Sequence, residues 1–115
     1  MDLPESVRIS VDNVGGTEGI VKSLPSEGNL MRSARVFKAL SDPLRLRIVF
    51  ALLYQPLCVC LIKEITNVPD SKLSYHLSIL RDANLIQGIQ EGNWIIYHAT
   101  DLCRRILGSG LPTLE

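Results

Sequence analysis

From Leu30 onward the apolar positions fall at helical spacing. Leu30, Ala34 and Phe37 recur at intervals of four and three, which places them on one face with Arg32, Arg35 and Lys38 off it and predicts a first helix. Ser41-Asp42-Pro43 should end that helix. Either Ser41 or Asp42 can cap the next one, and Pro43 suits its first turn, where no backbone N–H is needed. Leu46, Val49, Phe50 and Leu53 form the expected buried side of this second helix, and Gln55-Pro56 closes it. A third, short helix is expected from near Cys58 to about Ile65, broken by Thr66-Asn67-Val68-Pro69, and a fourth from about Asp70. On a helical wheel with Leu73 at the origin, Leu77 and Leu80 fall within about 40 degrees of it, while Ser71, Ser74, Tyr75 and Ser78 cluster on the far side. After Ala83-Asn84 the period shortens, and two apolar stretches flank Glu91-Gly92-Asn93 as in a β-hairpin turning at Gly92. Thr100 can cap a last helix of about seven residues, which Gly108 and Gly110 end early.

Ahead of this pattern, residues 1–29 contain Gly15, Gly16, Gly19, Pro25 and Gly28 and a single alternating stretch, V-R-I-S-V. They are expected to be an acidic extension with at most one short strand, followed by one domain over residues 30–110 and a tail at 111–115. A chain of 115 residues, 46% apolar and 21% charged, fits one domain able to bury a core. The longest apolar run, Ile48 to Ile62, is cut by Gln55-Pro56 and is too short to span a bilayer, so no membrane partner is expected. The acidic N-terminus lacks the basic start and apolar stretch of a secretion signal, which points to a cytoplasmic protein. Three cysteines, Cys58, Cys60 and Cys103, argue against a disulfide framework there and leave burial, metal binding or redox sensing.

The zero net charge is unevenly divided. Residues 1–30 carry five acids and two bases, a net of −3, and residues 31–115 carry seven acids and ten bases, a net of +3. A surplus of that size is compatible with nucleic acid but does not require it. The order of elements is more informative: a short helix, a tight turn, an amphipathic helix with a polar face, then a two-stranded wing. This is the order of a winged helix-turn-helix, in which the second of the two helices enters the DNA major groove. Short serine side chains let the backbone approach the bases closely, and each hydroxyl both donates and accepts hydrogen bonds. Lys72 and Arg81 add attraction for phosphate, and Asn93 at the hairpin tip completes the candidate DNA-facing set. The same small polar residues would equally suit a solvated helix face. His76 sits at the edge of the core side, where a hydrogen bond within the fold is favoured over a DNA contact, and His98 is given no role.

Four segments, A-L-S-D-P-L-R-L-R-I-V, L-C-V-C, L-S-Y-H-L-S-I-L-R-D-A-N-L-I and E-G-N-W-I-I-Y, in this order and at these spacings, resemble the ArsR/SmtB family of metal-responsive repressors over roughly residues 34–98. The resemblance implies a mainly α fold with a β-hairpin wing. It also implies a homodimer that binds double-stranded operator DNA carrying an inverted repeat and leaves it when a metal or metalloid binds. By match to the family's recognition helix, Asp70, Ser71, Ser74 and Tyr75 face DNA. Asp70 stands where the family often has an uncharged polar residue, and its charge opposes phosphate. In this family L-C-V-C marks the arsenic and antimony sensors, so the resemblance implies arsenite or antimonite as the inducing ligand at Cys58 and Cys60, with no cofactor needed for folding. The sensors' third thiol usually lies three residues after the second. Here that residue is Lys63 and Cys103 is the one thiol left, so a two-thiol site completed by a small external thiol or water is expected first and recruitment of Cys103 second.

Soft thiolates select trivalent arsenic over harder ions. On an intact helix, residues two apart project about 200 degrees from each other, so Cys58 and Cys60 can share one ion only if the first helical turn is not yet formed or is undone. Unwinding on binding would then pull on the helix that supports the reading helix. Core packing and redox or thiol-reagent sensing stay open for the same pair, as does a winged helix used only to dock proteins. Zinc, cobalt or nickel sensing through the last helix would need histidines and acids that L-C-R-R-I-L-G lacks. No phosphate-cradling loop, carboxylate pair or nucleophile turn supports an enzyme.

Overall fold

In the computed structural model residues 2–112 are described, so the expected tail at 111–115 lies largely outside them. The chain divides into two units, residues 1–32 and 33–115.

The first unit is helical: α1 spans Glu5–Asn13, α2 spans Gly16–Ser23, and α3, Glu27–Leu40, begins in it. This corrects the expected extension with a short strand, because V-R-I-S-V lies inside α1. Leu3, Val7 and Val11 are spaced by four, so the segment satisfies a helical period as well as an alternating one. Local charge favours the helix, with Arg8 reaching Glu5 at 3.7 Å and Asp12 at 3.4 Å, one turn before and after it. Gly15 takes the left-handed φ of 90° that turns the chain from α1 into α2.

The second unit contains the end of α3, then α4 (Pro43–Tyr54), β1 (Leu57–Cys58), α5 (Val59–Thr66), α6 (Asp70–Asp82), β2 (Ile86–Glu91), β3 (Trp94–Ala99) and α7 (Asp101–Leu107). Asp42 caps α4 by accepting the Arg45 backbone N–H at 3.0 Å, and Pro43 occupies the first turn. Thr100 caps α7 by accepting the Cys103 N–H, while its hydroxyl donates to the Asn84 carbonyl and ties the helix to the end of α6. Asn67 and Asn84, both with left-handed φ, follow the ends of α5 and α6.

The core is built from Ile48, Val49, Leu52, Ile62, Leu73, Leu80, Leu85 and Ile86, all nearly inaccessible to water. On α4 this departs from the expected face. Ile48 and Leu52 join Val49 in the core, whereas Leu46, Phe50 and Leu53 are half-buried. The reason is that α4 packs against α5, α6, α7 and β3, so it is covered on more than one side and no single stripe describes it. On α3 the expected stripe also differs: Leu30 and Phe37 are exposed, and Ala39 and Leu40 carry the burial.

The wing is a three-stranded antiparallel sheet in the order β1-β3-β2. The hairpin is as expected, with Glu91 opposite Trp94 across a two-residue turn in which Gly92 alone has a left-handed φ, the pattern of a type II′ turn. β1 adds a strand that pattern did not predict. Its two residues pair Leu57 with Tyr97 and Cys58 with Ile96, which fastens the start of α5 to the wing.

Candidate nucleic-acid interface and thiol pair

Helix α6, the one expected to read DNA, is split by burial as its spacing implies. Leu73, His76, Leu77 and Leu80 face the core. Ser71, Lys72, Ser74 and Tyr75 are exposed, Tyr75 by 61%. Ser78 is half-buried and its hydroxyl donates to the Tyr75 carbonyl at 2.7 Å, so it is less free than the other serines. Arg81 lies 3.8 Å from Asp82, and Asn93 is exposed at the wing tip. Asp70, at the first position of α6, is bound by the Lys63 ammonium at 2.7 Å. That ion pair offsets the negative charge that would otherwise repel phosphate. It also joins α5 to the start of α6, through the residue that stands in place of the sensors' third thiol.

Arg45 is the supporting residue that sequence reasoning missed. Its Nε donates to the Ala39 carbonyl at 2.6 Å and its Nη1 donates to His76 Nδ1 at 2.9 Å. Because a guanidinium has only donors, His76 Nδ1 must accept, which places the ring proton on Nε2 and keeps the imidazole neutral. Burial lowers the His76 pKa below its ordinary value of 6.5, opposed by the Asp42 carboxylate and reinforced by the Arg45 and Lys72 charges. His76 is therefore the fold-bonded boundary residue its position suggested, and its ring meets the Tyr75 ring edge-on at 5.2 Å. The Arg45–His76 contact spans 31 positions, so no local pattern could have found it.

The structure brings Cys58 and Cys60 together, with their Sγ atoms in direct contact. Cys58 is the residue before α5, in extended backbone, and Cys60 is the second residue of the helix. The 200-degree divergence of an intact helix is thus avoided, since one of the two thiols precedes the first turn, and no unwinding is needed for both to meet one ion. The Cys60 thiol hydrogen-bonds to Cys58 and holds its pKa below the usual thiol value of 9.0, helped by the Leu61 backbone N–H. The same bond pushes Cys60 up. Cys103 stands apart, wholly buried in the core, and burial raises its thiol pKa. Among the described residues no three cysteine, histidine or acidic side chains are grouped as a metal site. The donor set near Cys58 is two thiols, which suits a thiophilic ion.

Comparison with known proteins places this arrangement. Residues 42–87, from the cap of α4 to the start of the wing, match the family described as "Bacterial regulatory protein, arsR family". The chain is 47% identical over 73 residues to the arsenical resistance operon repressor of Bacillus subtilis, covering 63% of this chain and 70% of the relative. It is 40% identical over 101 residues to a transcriptional repressor SmtB homolog of Synechocystis, covering 88% and 74%. Among solved structures, the homodimeric winged helix-turn-helix DNA-binding domain of a Mycobacterium bovis regulator superposes with a TM-score of 0.66 at 26% identity, covering 73% of this chain and 82% of that one. NolR from Sinorhizobium fredii gives 0.66 at 27% identity, covering 76% and 91%. With the reading helix, the wing and the family match in agreement, the chain belongs to the ArsR family of DNA-binding transcriptional regulators.

Proposed function

We propose that this regulator binds an inverted-repeat operator as a homodimer, lays α6 in the major groove, and is released when a thiol-binding metalloid such as arsenite or antimonite binds Cys58 and Cys60. The observation that carries this reading is the pair of thiols in contact at the head of the helix that precedes α6. The similarity to an arsenical resistance operon repressor supports the choice of ligand.

When bound, the metalloid would supply a trivalent centre that prefers sulfur to oxygen. Everything else falls to the chain's own residues. Each of Cys58 and Cys60 would join the metalloid in exchange for one of its hydroxyl groups, which leaves as water carrying the thiol proton. Cys58 belongs to β1 and Cys60 to α5, so a ligand held by both bears on the wing strand and on the helix whose Lys63 holds the start of α6. That route replaces helix unwinding as the link between ligand and DNA. The metal set is then Cys58 and Cys60, with the remaining valence met by water or a small external thiol rather than by the buried Cys103.

On the DNA side the reading rests on Ser71, Lys72, Ser74 and Tyr75, with Asp70, Ser78, Arg81 and Asn93 at the margins. Replacing Ser74 or Tyr75 by Ala is expected to cost roughly 1–3 kcal/mol of operator binding each, with little change in binding to unrelated duplex. Fluorescence anisotropy on the protein's own promoter DNA and on a scrambled duplex measures both. Two variants that hold the promoter as tightly as the parent would remove the recognition surface.

A further inference from the structure

We infer that the groove beside α6, walled by Arg35, Lys38, Arg45 and Tyr75, is a seat for the phosphate backbone of the bound DNA. The inference rests on the reading of α6 as the DNA-reading helix. The groove has a volume of about 340 Å³ and is lined by Arg35, Lys38 and Ala39 of α3, Arg45 of α4, Tyr75, Ile79 and Asp82 of α6, and Ala83.

Its charge fits an anion. Three cations face one acid, and that acid, Asp82, already lies against Arg81. Among the described residues Arg35 and Lys38 take part in no ion pair, and both are exposed. Arg45 is held in place by the Ala39 carbonyl and His76, and its Nη2 has no side-chain or carbonyl partner among the described residues. A guanidinium already fixed by two hydrogen bonds loses little freedom when it meets a phosphate.

The wing supplies the second argument. From Ile86 to Ala99 it contains no lysine or arginine, and Glu91 stands beside its tip. The hairpin therefore brings no lysine or arginine to the DNA, and neutralisation of the strands flanking a helix in the major groove falls to Lys72 and Arg81 of α6 and to the α3–α4 side. Tyr75 belongs both to the exposed face of α6 and to the groove wall, so a strand passing the edge of the reading face meets the three cations next. Phosphate contacts of this kind position the protein without reading sequence.

The test uses the full chain, its own promoter duplex and a scrambled duplex, with affinity measured over a range of salt. For Arg35→Ala/Lys38→Ala, the slope of log affinity against log salt should shrink by about 0.9 for each phosphate contact removed. Affinity for both duplexes should fall by a similar factor, roughly tenfold. The promoter-to-scrambled ratio should hold, and Arg35→Lys/Lys38→Arg should restore the slope. Both side chains are exposed, so circular dichroism should report an intact fold. An unchanged slope, or a loss confined to the promoter duplex, overturns the seat while leaving the reading helix standing. A parent protein that does not prefer its promoter overturns both.

Discussion

At the scale of single residues, the three cysteines have three environments. Cys58 is half-buried with a lowered pKa, Cys60 is exposed with a raised one, and Cys103 is sealed in the core with its thiol form favoured. Thiolate character and access both govern reactivity. Brief treatment of the folded protein with iodoacetamide should therefore alkylate the Cys58–Cys60 pair and spare Cys103 until the chain is denatured, as peptide mass spectrometry would record. Early modification of Cys103 would mean that its burial is not maintained in solution. The pair itself was legible as a motif, and so was the absence of a third thiol at Lys63. Its geometry was not, because the start of a helix cannot be placed to one residue by pattern alone, and that one residue puts Cys58 outside α5.

At the scale of elements, α6 is held by contacts to its neighbours: Arg45 of α4 reaches His76, and Lys63 of α5 reaches Asp70. The first has a pH signature. The folded pKa of His76 lies below 6.5, so the unfolded chain takes up a proton that the fold resists. Stability from this site is complete above about pH 6.5 and declines as pH falls from there to the lowered folded value. The Asp42 carboxylate, lowered below 3.8 chiefly by the Arg45 backbone N–H, acts only in a more acidic window. Urea unfolding between about pH 7.5 and about pH 5 should show the parent losing stability relative to His76→Gln, which keeps an acceptor for Arg45 and does not titrate. Parallel curves for the two proteins would show that His76 protonates as easily folded as unfolded. These supports were invisible to periodicity, which reads neighbours three and four apart. Where the signal was local the elements could be read: Asp42 and Pro43 at α4, Gly92 in the hairpin and Thr100 at α7. β1 could not, since a two-residue strand is defined by its partner on β3.

At the scale of the whole molecule, Phe37 of α3 is 60% exposed in the single chain. A large apolar side chain left open on a helix is the kind of surface a dimer covers. The structural neighbour from Mycobacterium bovis is homodimeric. Sedimentation velocity should show a dimer at micromolar concentration, and Phe37→Asp should shift it toward monomer; a monomeric parent would rule out the proposed assembly. The short strand allowed for in the first unit is a helix because a five-residue alternation such as V-R-I-S-V fits two periods, and Leu3, Val7 and Val11 also satisfy the helical one.

The central claim joins the thiol pair to the DNA-reading helix, and one titration addresses it directly. Reduced protein bound to fluorescent promoter DNA is titrated with arsenite in parallel with Cys58→Ser, Cys60→Ser and Cys103→Ser, and release is followed by anisotropy. The parent and Cys103→Ser should let go of the DNA at similar arsenite concentrations, while Cys58→Ser and Cys60→Ser should stay bound throughout. Retention of DNA by the parent at saturating arsenite, or release that survives loss of either Cys58 or Cys60, would contradict the account.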